Sequence, residues 1–384
     1  MTDIAPTLKI LERLIAFDTT SRNSNLDLIA WVEEFLSARG IDSVRVSNAE
    51  GAKANLYALI GPRVEGGVVL SGHTDVVPVD GQPWTSDPWV VTAKGDGKLY
   101  GRGVSDMKSF SALALAHVDQ MRAANMKRPL ILALSYDEEV GCLGAPAMID
   151  EIARLMPKPE AAIIGEPTSM KVVSAHKSIR TYIVEVIGRE AHSSLPHQGV
   201  SAVMEALKLM DLIALMGGES AQVDEALFSP PGPTLTIGRV DGGTAVNILA
   251  RRCEFMFDLR SPTAAQSDAL ERRFFEAAAK LDAEIKARAP EGGVTVARRS
   301  STPGLELDRA SPAEALARAL TGDNDTRAAS YAAEAGLFQN AGIPAVLCGP
   351  GSIEQAHQPD EWIEISQIEE GARFFEKLIA RMSA

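Results

Sequence analysis

The sequence lacks the features that mark several large classes of protein. It contains no Lys/Arg-rich run and has a formal net charge of −13, which argues against a nucleic-acid partner because phosphate binding needs clustered cations. No apolar stretch approaches the ~20 residues of a membrane span, and no cationic stretch followed by an apolar core opens the chain. We therefore expect neither a membrane partner nor a secretory signal. Three widely separated cysteines, Cys142, Cys253 and Cys348, are typical of reduced thiols in the cytoplasm, where we expect the protein.

The length and the apolar content of the chain predict two domains. The chain has 384 residues, of which 46% are hydrophobic. Its length exceeds the usual length of a protein with a single core. In the first part, apolar strands alternate with helices, which predicts an α/β domain with a mixed sheet flanked by helices. The predicted strands are Asn55–Ile60, Val68–Ser71, Leu130–Ser135 and Ala161–Ile164, and a helix is predicted over Ser109–Met121. We assign residues 1–178 and 300–384 to this catalytic, metal-binding domain.

A different pattern begins near Ser178 and predicts an inserted domain over 179–299. Its elements follow the order β-α-β-β-α-β, which is typical of a ferredoxin-like α+β unit. The predicted strands are Thr181–Val186, Thr234–Val240, Cys253–Arg260 and Val294–Arg298. The predicted helices span 200–216 and 263–289.

Five short polar segments hold most of the side chains that suggest chemistry. Three of them follow predicted strands directly, and in α/β sheets functional groups gather at the carboxyl ends of the strands. Together the segments supply two histidines and several carboxylates, a combination that suits zinc or a similar divalent ion. This is more than one tetrahedral site needs, and the surplus is explained if one carboxylate bridges two ions. The segments are Ser71–Pro78, Tyr100–Lys108, Asp137–Glu139, Gly165–Pro167 and Gln355–Glu361.

Spacing within two of these segments restricts the roles of their members. His73 and Asp75 are two apart on an extended segment and project from the same face. One of them can bind metal while the other orients it. Glu138 and Glu139 are adjacent and point in different directions. One can therefore ligate while the other takes a proton from a metal-activated water.

Each of these residues also has a simpler interpretation. Asp106 could cap a helix that begins at Met107, a common use of Asp. Glu166 could be an ordinary loop residue and His357 a surface histidine. The coincidence of five such clusters, three of them at strand ends, favours a shared metal site over five unrelated explanations.

In order and across nearly the whole chain, the five segments resemble metallopeptidase family M20, the aminoacylase and deacetylase group. The segment Gly349-Pro-Gly-Ser-Ile-Glu-Gln-Ala-His357-Gln-Pro-Asp-Glu-Trp362 is most similar to the bacterial members that deacetylate N2-acetyl-L-ornithine. The resemblance implies that His73 and Glu166 hold one divalent ion and that Glu139 and His357 hold a second. It further implies that Asp106 bridges the two ions, that Asp75 orients His73 and that Glu138 is the general acid/base. The ions would be Zn²⁺, with Co²⁺ able to substitute.

The resemblance also assigns roles to the inserted domain, which in the family acts as a lid and usually forms the homodimer contact. The motif Gly188-Arg-Glu-Ala-His192-Ser-Ser-Leu-Pro196 places His192 at a carbonyl in the partner subunit's site. Asn247 and Arg260 match positions that hold a substrate carboxylate. Glu334 would suit a cationic substrate side chain if it faces the pocket.

The implied function is hydrolysis of the acetyl amide of N2-acetyl-L-ornithine, giving L-ornithine and acetate in arginine biosynthesis. Alternatives within the family are a succinyl-diaminopimelate desuccinylase, an N-acetylcitrulline deacetylase and a broad aminoacylase. A different class of alternative is a catalytically dead relative that only binds a small molecule. The intact Glu138 argues against it, since such a protein needs no free base beside a complete ligand set.

Overall fold

A computed structural model describes residues 3–221 and 226–384 of the chain. The helices are α1 (Ala5–Ile15), α2 (Leu26–Ser37), α3 (Lys108–Ala116), α4 (Val118–Ala123), α5 (Ala145–Leu155), α6 (Ala202–Ser220), α7 (Ala264–Arg288), α8 (Pro312–Thr321), α9 (Ala335–Asn340) and α10 (Ile365–Ser383). Short 3-10 helices lie at Pro196–Gln198 and Ile353–Gln355. The described helices include none with the length and apolar character that a membrane crossing needs.

The strands complete the list of regular elements. They are β1 (Ser43–Ser47), β2 (Ala54–Ile60), β3 (Val68–His73), β4 (Thr92–Ala93), β5 (Lys98–Tyr100), β6 (Leu130–Ser135), β7 (Ala161–Pro167), β8 (Ala175–His176), β9 (Ser178–Ile187), β10 (Thr234–Gly242), β11 (Arg252–Ser261), β12 (Gly293–Thr302), β13 (Ala328–Ala329), β14 (Ala345–Gly349) and β15 (Trp362–Glu364). Contacts divide the chain into two compact units. The first unit contains 1–175, 307–327 and 333–384, and the second contains 176–306 and 328–332.

The first unit is built on a six-stranded mixed sheet with the order β1-β2-β6-β3-β7-β14. The strands β6, β3, β7 and β14 run parallel, whereas β1 and β2 pair antiparallel. The strands β3, β6, β7 and β14 are buried along their whole length, as their continuous apolar sequences predict for a sheet covered on both faces. Their parallel arrangement brings four carboxyl ends to one edge of the sheet.

Close packing of α3 against this sheet depends on a glycine beside Glu166. A Cβ added to Gly165 would lie 1.9 Å from the ring of Phe110 on α3, a distance that no side chain tolerates. Only glycine therefore lets α3 approach the end of β7. A larger residue at 165 would push α3 and the loop before it away from Glu166.

The second unit is a four-stranded antiparallel sheet with the order β10-β11-β9-β12 and the helices α6 and α7. Its core is formed by alternate residues of the strands together with one face of each helix, including Tyr182, Phe255 and Phe274. This is the predicted β-α-β-β-α-β unit, and the predicted fold class is confirmed. The predicted insertion, 179–299, lies within the second unit.

The prediction of one helix over Ser109–Met121 is wrong in one detail. The helix is interrupted at His117, which separates α3 from α4. The carbonyl oxygen of Leu113 receives the main-chain N–H of His117 and also lies 2.8 Å from its ring Nδ1. Local side-chain hydrogen bonds of this kind compete with regular helix geometry. The ring stacks on Phe375, so His117 has a structural role.

Candidate metal centre

The carboxyl edge of the parallel strands carries most of the predicted ligands. His73 ends β3 and lies opposite Ser135, the last residue of β6. Glu139 follows Ser135 four residues later in the chain. Glu166 lies near the end of β7, and His357 follows β14 through a short 3-10 helix. The fifth ligand, Asp106, precedes α3. The sheet topology therefore brings together residues that are far apart in sequence.

One group of possible ligands consists of His73, Asp106 and Glu166, all buried, with one ligand atom of each within 4.8 Å of the others. His73 Nε2 lies 3.0 Å from Asp106 Oδ1. Glu166 Oε1 is buried and has no hydrogen-bond partner within 3–221 and 226–384. A buried carboxylate oxygen without a partner is costly, unless a cation satisfies it.

The second group consists of Asp106, Glu139 and His357, again with ligand atoms within 4.8 Å. His357 Nε2 lies 3.0 Å from Glu139 Oε2 and 3.3 Å from Asp106 Oδ2. Asp106 belongs to both groups, and its two oxygens face different histidines. This is the geometry of a carboxylate that can bridge two ions.

The acidic side chains and the two histidines shift one another's pKa values. Burial alone would raise the pKa of Asp106, but hydrogen bonds with His357 and His73 outweigh it and hold that pKa well below its usual range. Hydrogen bonds with Asp106 and Glu139 raise the pKa of His357 to about 10. Burial, with repulsion from Asp106, raises the pKa of Glu139 to about 7. The cluster therefore attracts positive charge strongly, and a divalent cation would compete with protons for the same atoms.

The simpler interpretations of the ligands do not match their surroundings. The helix α3 begins at Lys108, and no side chain caps its first turn, so Asp106 is not a helix cap. His357 is half-exposed, but its ring points at two carboxylates. The set of imidazole and carboxylate groups, together with the unpartnered oxygen of Glu166, fits a divalent metal site.

Glu138 lies next to the ligands without belonging to either group. Burial raises the pKa of Glu138 well above its usual range, and repulsion from the nearby Glu166 adds to this shift. Its Oε1 accepts a hydrogen bond from the thiol of Cys142 at 3.3 Å. A carboxylate with a raised pKa beside a metal site is suited to taking up a proton and releasing it again.

Asp75 contacts this glutamate pair as well as His73. Its carboxylate accepts hydrogen bonds from the main-chain N–H groups of Glu138 and Glu139 at 3.1 and 3.3 Å, and from Ser21 Oγ at 2.7 Å. His73 Nδ1 lies 2.8 Å from the main-chain carbonyl of Asp75 and 3.6 Å from its carboxylate. Asp75 thus fixes His73 through its carbonyl and the Glu138–Glu139 turn through its side chain.

The predicted residues of the second unit fall at two ends of its sheet. His192 and Asn247 are close together, because the N–H of Ser193 donates to the carbonyl of Asn247 and His192 bridges to Ile248. Both side chains are exposed. Arg260 instead lies near the far end of β11, 3.7 Å from Asp258. Within this unit the structure does not bring Arg260 to the other two residues.

Glu334 is enclosed in the first unit. Its side chain is 1% exposed, and it accepts hydrogen bonds from Ser71 Oγ at 3.2 Å and Ser135 Oγ at 2.5 Å. Burial raises its pKa. The carboxylate therefore links the carboxyl ends of β3 and β6 by hydrogen bonds, close in sequence to the candidate ligand His73.

Sequence reasoning assigned no role to Glu361, whose carboxylate is also buried. It is 1% exposed and forms an ion pair of 2.8 Å with Arg102, which is equally buried. Both residues stand in segments that were singled out for other reasons. The two segments carry opposite charges, an arginine in one and a glutamate in the other. This charge pair was the available sign in the sequence that the two segments contact each other.

The fold and the ligand set are those of a metal-dependent hydrolase, and comparison with known proteins gives the family. Residues 69–381 match the model of "Peptidase family M20/M25/M40". An acetylornithine deacetylase from Pasteurella multocida is 34% identical over 394 residues, covering 99% of each chain. The chain belongs to peptidase family M20/M25/M40 and is an enzyme of this metallopeptidase and amidohydrolase family, as its motifs predicted.

Solved structures show the same fold at low sequence identity. A tripeptidase from Staphylococcus aureus superposes with a TM-score of 0.79 at 20% identity, covering 100% of this chain and 99% of that one. An M20 family metallo-carboxypeptidase from Sulfolobus solfataricus gives 0.75 at 17% identity and covers 100% of both chains. The architecture is therefore shared by proteins whose names indicate different substrates.

Proposed function

We propose that the enzyme hydrolyses the acetyl amide of N2-acetyl-L-ornithine with two divalent metal ions, giving L-ornithine and acetate in arginine biosynthesis. The observation that carries this proposal is the pair of ligand groups that share Asp106, with Glu138 beside them. The substrate is supported by the name of the relative from Pasteurella multocida, which matches over nearly the full length of both chains. The cytoplasmic location stays a prediction from the sequence.

In this proposal His73 and Glu166 would hold one ion and Glu139 and His357 would hold the other, while Asp106, which belongs to both groups, would serve both. Imidazole and carboxylate ligands suit Zn²⁺, and Co²⁺ accepts the same donors. When bound, such ions supply Lewis-acid chemistry toward a carbonyl oxygen and toward water. The burial of His73, Asp106 and Glu166 keeps competing water away from one side of the site.

Glu138 performs the proton transfers. Its carboxylate accepts a proton from the attacking water and delivers it to the departing nitrogen, so that ornithine leaves as an amine. The Asp75 carboxylate supports this role, because it holds the main chain of Glu138 through a hydrogen bond. The thiol of Cys142 donates a hydrogen bond to the same Glu138 carboxylate.

The second unit supplies the contacts to the substrate and pairs two chains. His192 donates a hydrogen bond to the carbonyl oxygen, while Asn247 and Arg260 bind the substrate carboxylate. From Arg252 to Arg260, β11 extends about 26 Å at ~3.3 Å per residue. One small substrate cannot span that distance within a single unit, so we propose that His192 and Asn247 act in the site of the partner subunit of a homodimer.

Exposed features of the second unit support the homodimer. The strand β10 is an edge of its sheet, and edge strands readily pair with another chain. Beside it, α6 exposes Met204, Leu207 and Leu215, which recur at helical spacing on one face. Apolar side chains on one exposed face are typical of an interaction surface, and two-fold dimers are the commonest oligomers.

The rival substrates within the family differ in charge and size at the side chain. N2-Acetyl-L-citrulline carries a neutral ureido group where the ornithine derivative carries an ammonium, and N-succinyl-L,L-diaminopimelate carries extra carboxylates. A contact between Glu334 and the ammonium remains a prediction, and it requires the carboxylate, which is 1% exposed, to become accessible to the substrate. The non-catalytic alternative conflicts with the retention of Glu138 beside a complete ligand set.

A substrate comparison tests the proposed reaction. With zinc-loaded enzyme, we expect kcat/KM for N2-acetyl-L-ornithine to exceed that for N2-acetyl-L-citrulline by about tenfold or more, because an unmatched charge costs at least ~1.4 kcal/mol at such a site. Release of acetate and amine would be measured in parallel for both compounds, for N-succinyl-L,L-diaminopimelate and for N-acetyl-L-methionine. The Glu138→Gln variant, purified identically, gives the background. A preference for the succinyl compound would assign the enzyme to the desuccinylases instead.

A further inference from the structure

We propose that Glu361 is a positioning residue. It holds Asp106 and His357 in the relative positions that they need to bind one metal ion together with Glu139. This inference rests on the proposed two-metal function and deepens it. Glu361 lies four residues after His357 in the chain, yet its side chain reaches the loop that carries Asp106. Its carboxylate accepts hydrogen bonds from three main-chain N–H groups and the Arg102 side chain, so it acts on Asp106 through the main chain.

Four donors converge on the Glu361 carboxylate. Oε1 accepts from the main-chain N–H groups of Ser105 and Asp106 at 2.8 and 3.0 Å. Oε2 accepts from the N–H of Gly103 at 3.1 Å and from Arg102 Nη1 at 2.8 Å. A buried carboxylate with this many donors is held rigidly, since each hydrogen bond to a charged group is worth about 1.5–3 kcal/mol. The N–H of Asp106 is therefore fixed, and so is the main-chain position from which the Asp106 side chain extends.

A second connection reaches His357 from the other side. Arg102 Nη2 donates to Gln82 Oε1 at 2.6 Å, and Gln82 Nε2 donates to the main-chain carbonyl of His357 at 2.9 Å. His357 has a φ of 64°, a left-handed conformation that is uncommon for a residue with a side chain and needs support from its surroundings. The chain from Glu361 through Arg102 and Gln82 supplies such a constraint.

The two connections act unequally on the two ligand groups. The group of Asp106, Glu139 and His357 contains both braced residues, whereas the group of His73, Asp106 and Glu166 contains one. In the first group, moreover, Asp106 Oδ2 and Glu139 Oε2 must both face His357 Nε2, at 3.3 and 3.0 Å. Loss of the hydrogen bonds of Glu361 should therefore weaken the binding of one ion much more than the binding of the other. A residue with only a general structural role would not discriminate between them.

The substitution Glu361→Gln tests the inference, because it keeps the shape and turns one accepting oxygen into an N–H donor that faces other donors. We expect calorimetric titration of metal-free protein with Zn²⁺ to show one binding step weakened by about 10–100-fold, the usual cost of losing a group that supports a ligand. The other step should change little. His357→Ala identifies the weakened step, since it removes a ligand from the same group only. In metal-free protein, the amides of Ser105 and Asp106 should exchange hydrogen faster than in the wild type.

Glu314→Gln is the matched control. Glu314 is also a buried carboxylate of the first unit paired with an arginine, Arg318, but it lies on α8 and belongs to neither group of possible ligands. We expect this variant to lower the melting temperature without changing either zinc-binding step. Should Glu361→Gln fail to fold, Gln82→Ala serves instead, because Gln82 is only half-buried. It should weaken the same step by about tenfold.

The outcomes separate this inference from the proposed function. If the wild type binds two ions and Glu361→Gln, or Gln82→Ala in its place, binds both with unchanged affinity, the positioning role is excluded and the proposed function stands. Equal weakening of both steps would likewise overturn the role, since it would indicate general destabilisation. If the wild type binds no zinc, the proposed function itself fails, whatever the variants show.

Discussion

Replacing Glu138 with glutamine should lower the turnover number for N2-acetyl-L-ornithine by about two to four orders of magnitude, while both metals remain bound. Glutamine keeps the shape of the side chain but cannot accept the proton of the attacking water, and general-base catalysis contributes about that much. Glu138 belongs to neither ligand group, so metal content should stay at the wild-type value. Turnover and elemental analysis on one preparation provide the measurement.

The adjacent glutamate provides the matched control for this experiment. Glu139→Gln introduces the same chemical change one residue away, but at a position whose Oε2 lies 3.0 Å from His357 Nε2. We expect it to lose metal as well as activity. Near-normal turnover in Glu138→Gln would remove Glu138 as the base and direct attention to Asp75 or Glu139.

His192→Ala should reduce turnover by about a hundredfold or more without changing metal content or melting temperature. Amide hydrolysis places negative charge on the carbonyl oxygen, and one hydrogen-bond donor to that charge is worth about 10²–10³ in rate. His192 is exposed, and its Nδ1 lies 2.8 Å from Ser194 Oγ, so the substitution removes little packing. A lower melting temperature with unchanged turnover would instead mean that His192 only supports its own loop.

Mixing two inactive variants tests whether His192 acts in the partner's site. In a heterodimer of Glu138→Gln and His192→Ala, one site would combine an intact Glu138 with an intact His192 from the other chain. Random pairing would then restore about a quarter of wild-type turnover, because half of the dimers are mixed and each has one complete site. Sedimentation of the same mixture must show dimers. No recovery in a dimeric mixture would place His192 in its own subunit's site.

Local patterns in the sequence predicted the main buried strands and placed several candidate ligands at strand ends. Apolar runs such as Leu130–Ser135 predicted the buried strands, because a strand covered on both faces has no other composition. The alternation in the second unit predicted its β-α-β-β-α-β order for a similar reason. The candidate ligands His73 and Glu166 lie at the carboxyl ends of β3 and β7, so parallel pairing brings them to one edge of the sheet.

Contacts between distant segments were beyond the reach of such patterns. The spacing of His73 and Asp75 predicted that they share a face, but not that the Asp75 carboxylate would bind the main chain of Glu138 and Glu139. The enclosure of Glu334 by Ser71 and Ser135 depends on the pairing of β3 with β6. A side chain's partners are set by sheet order and loop course, which no local window of sequence contains.

The most direct test of the proposed two-metal mechanism is to measure metal content and activity together. Metal-free protein would be saturated with Zn²⁺, desalted and analysed for zinc while hydrolysis of N2-acetyl-L-ornithine is followed at increasing occupancy. With Asp106 shared by two ligand groups, we predict about two ions per chain at saturation and turnover that rises with occupancy. Protein that retains no zinc after desalting, or that hydrolyses the substrate at full rate when metal-free, would contradict the account.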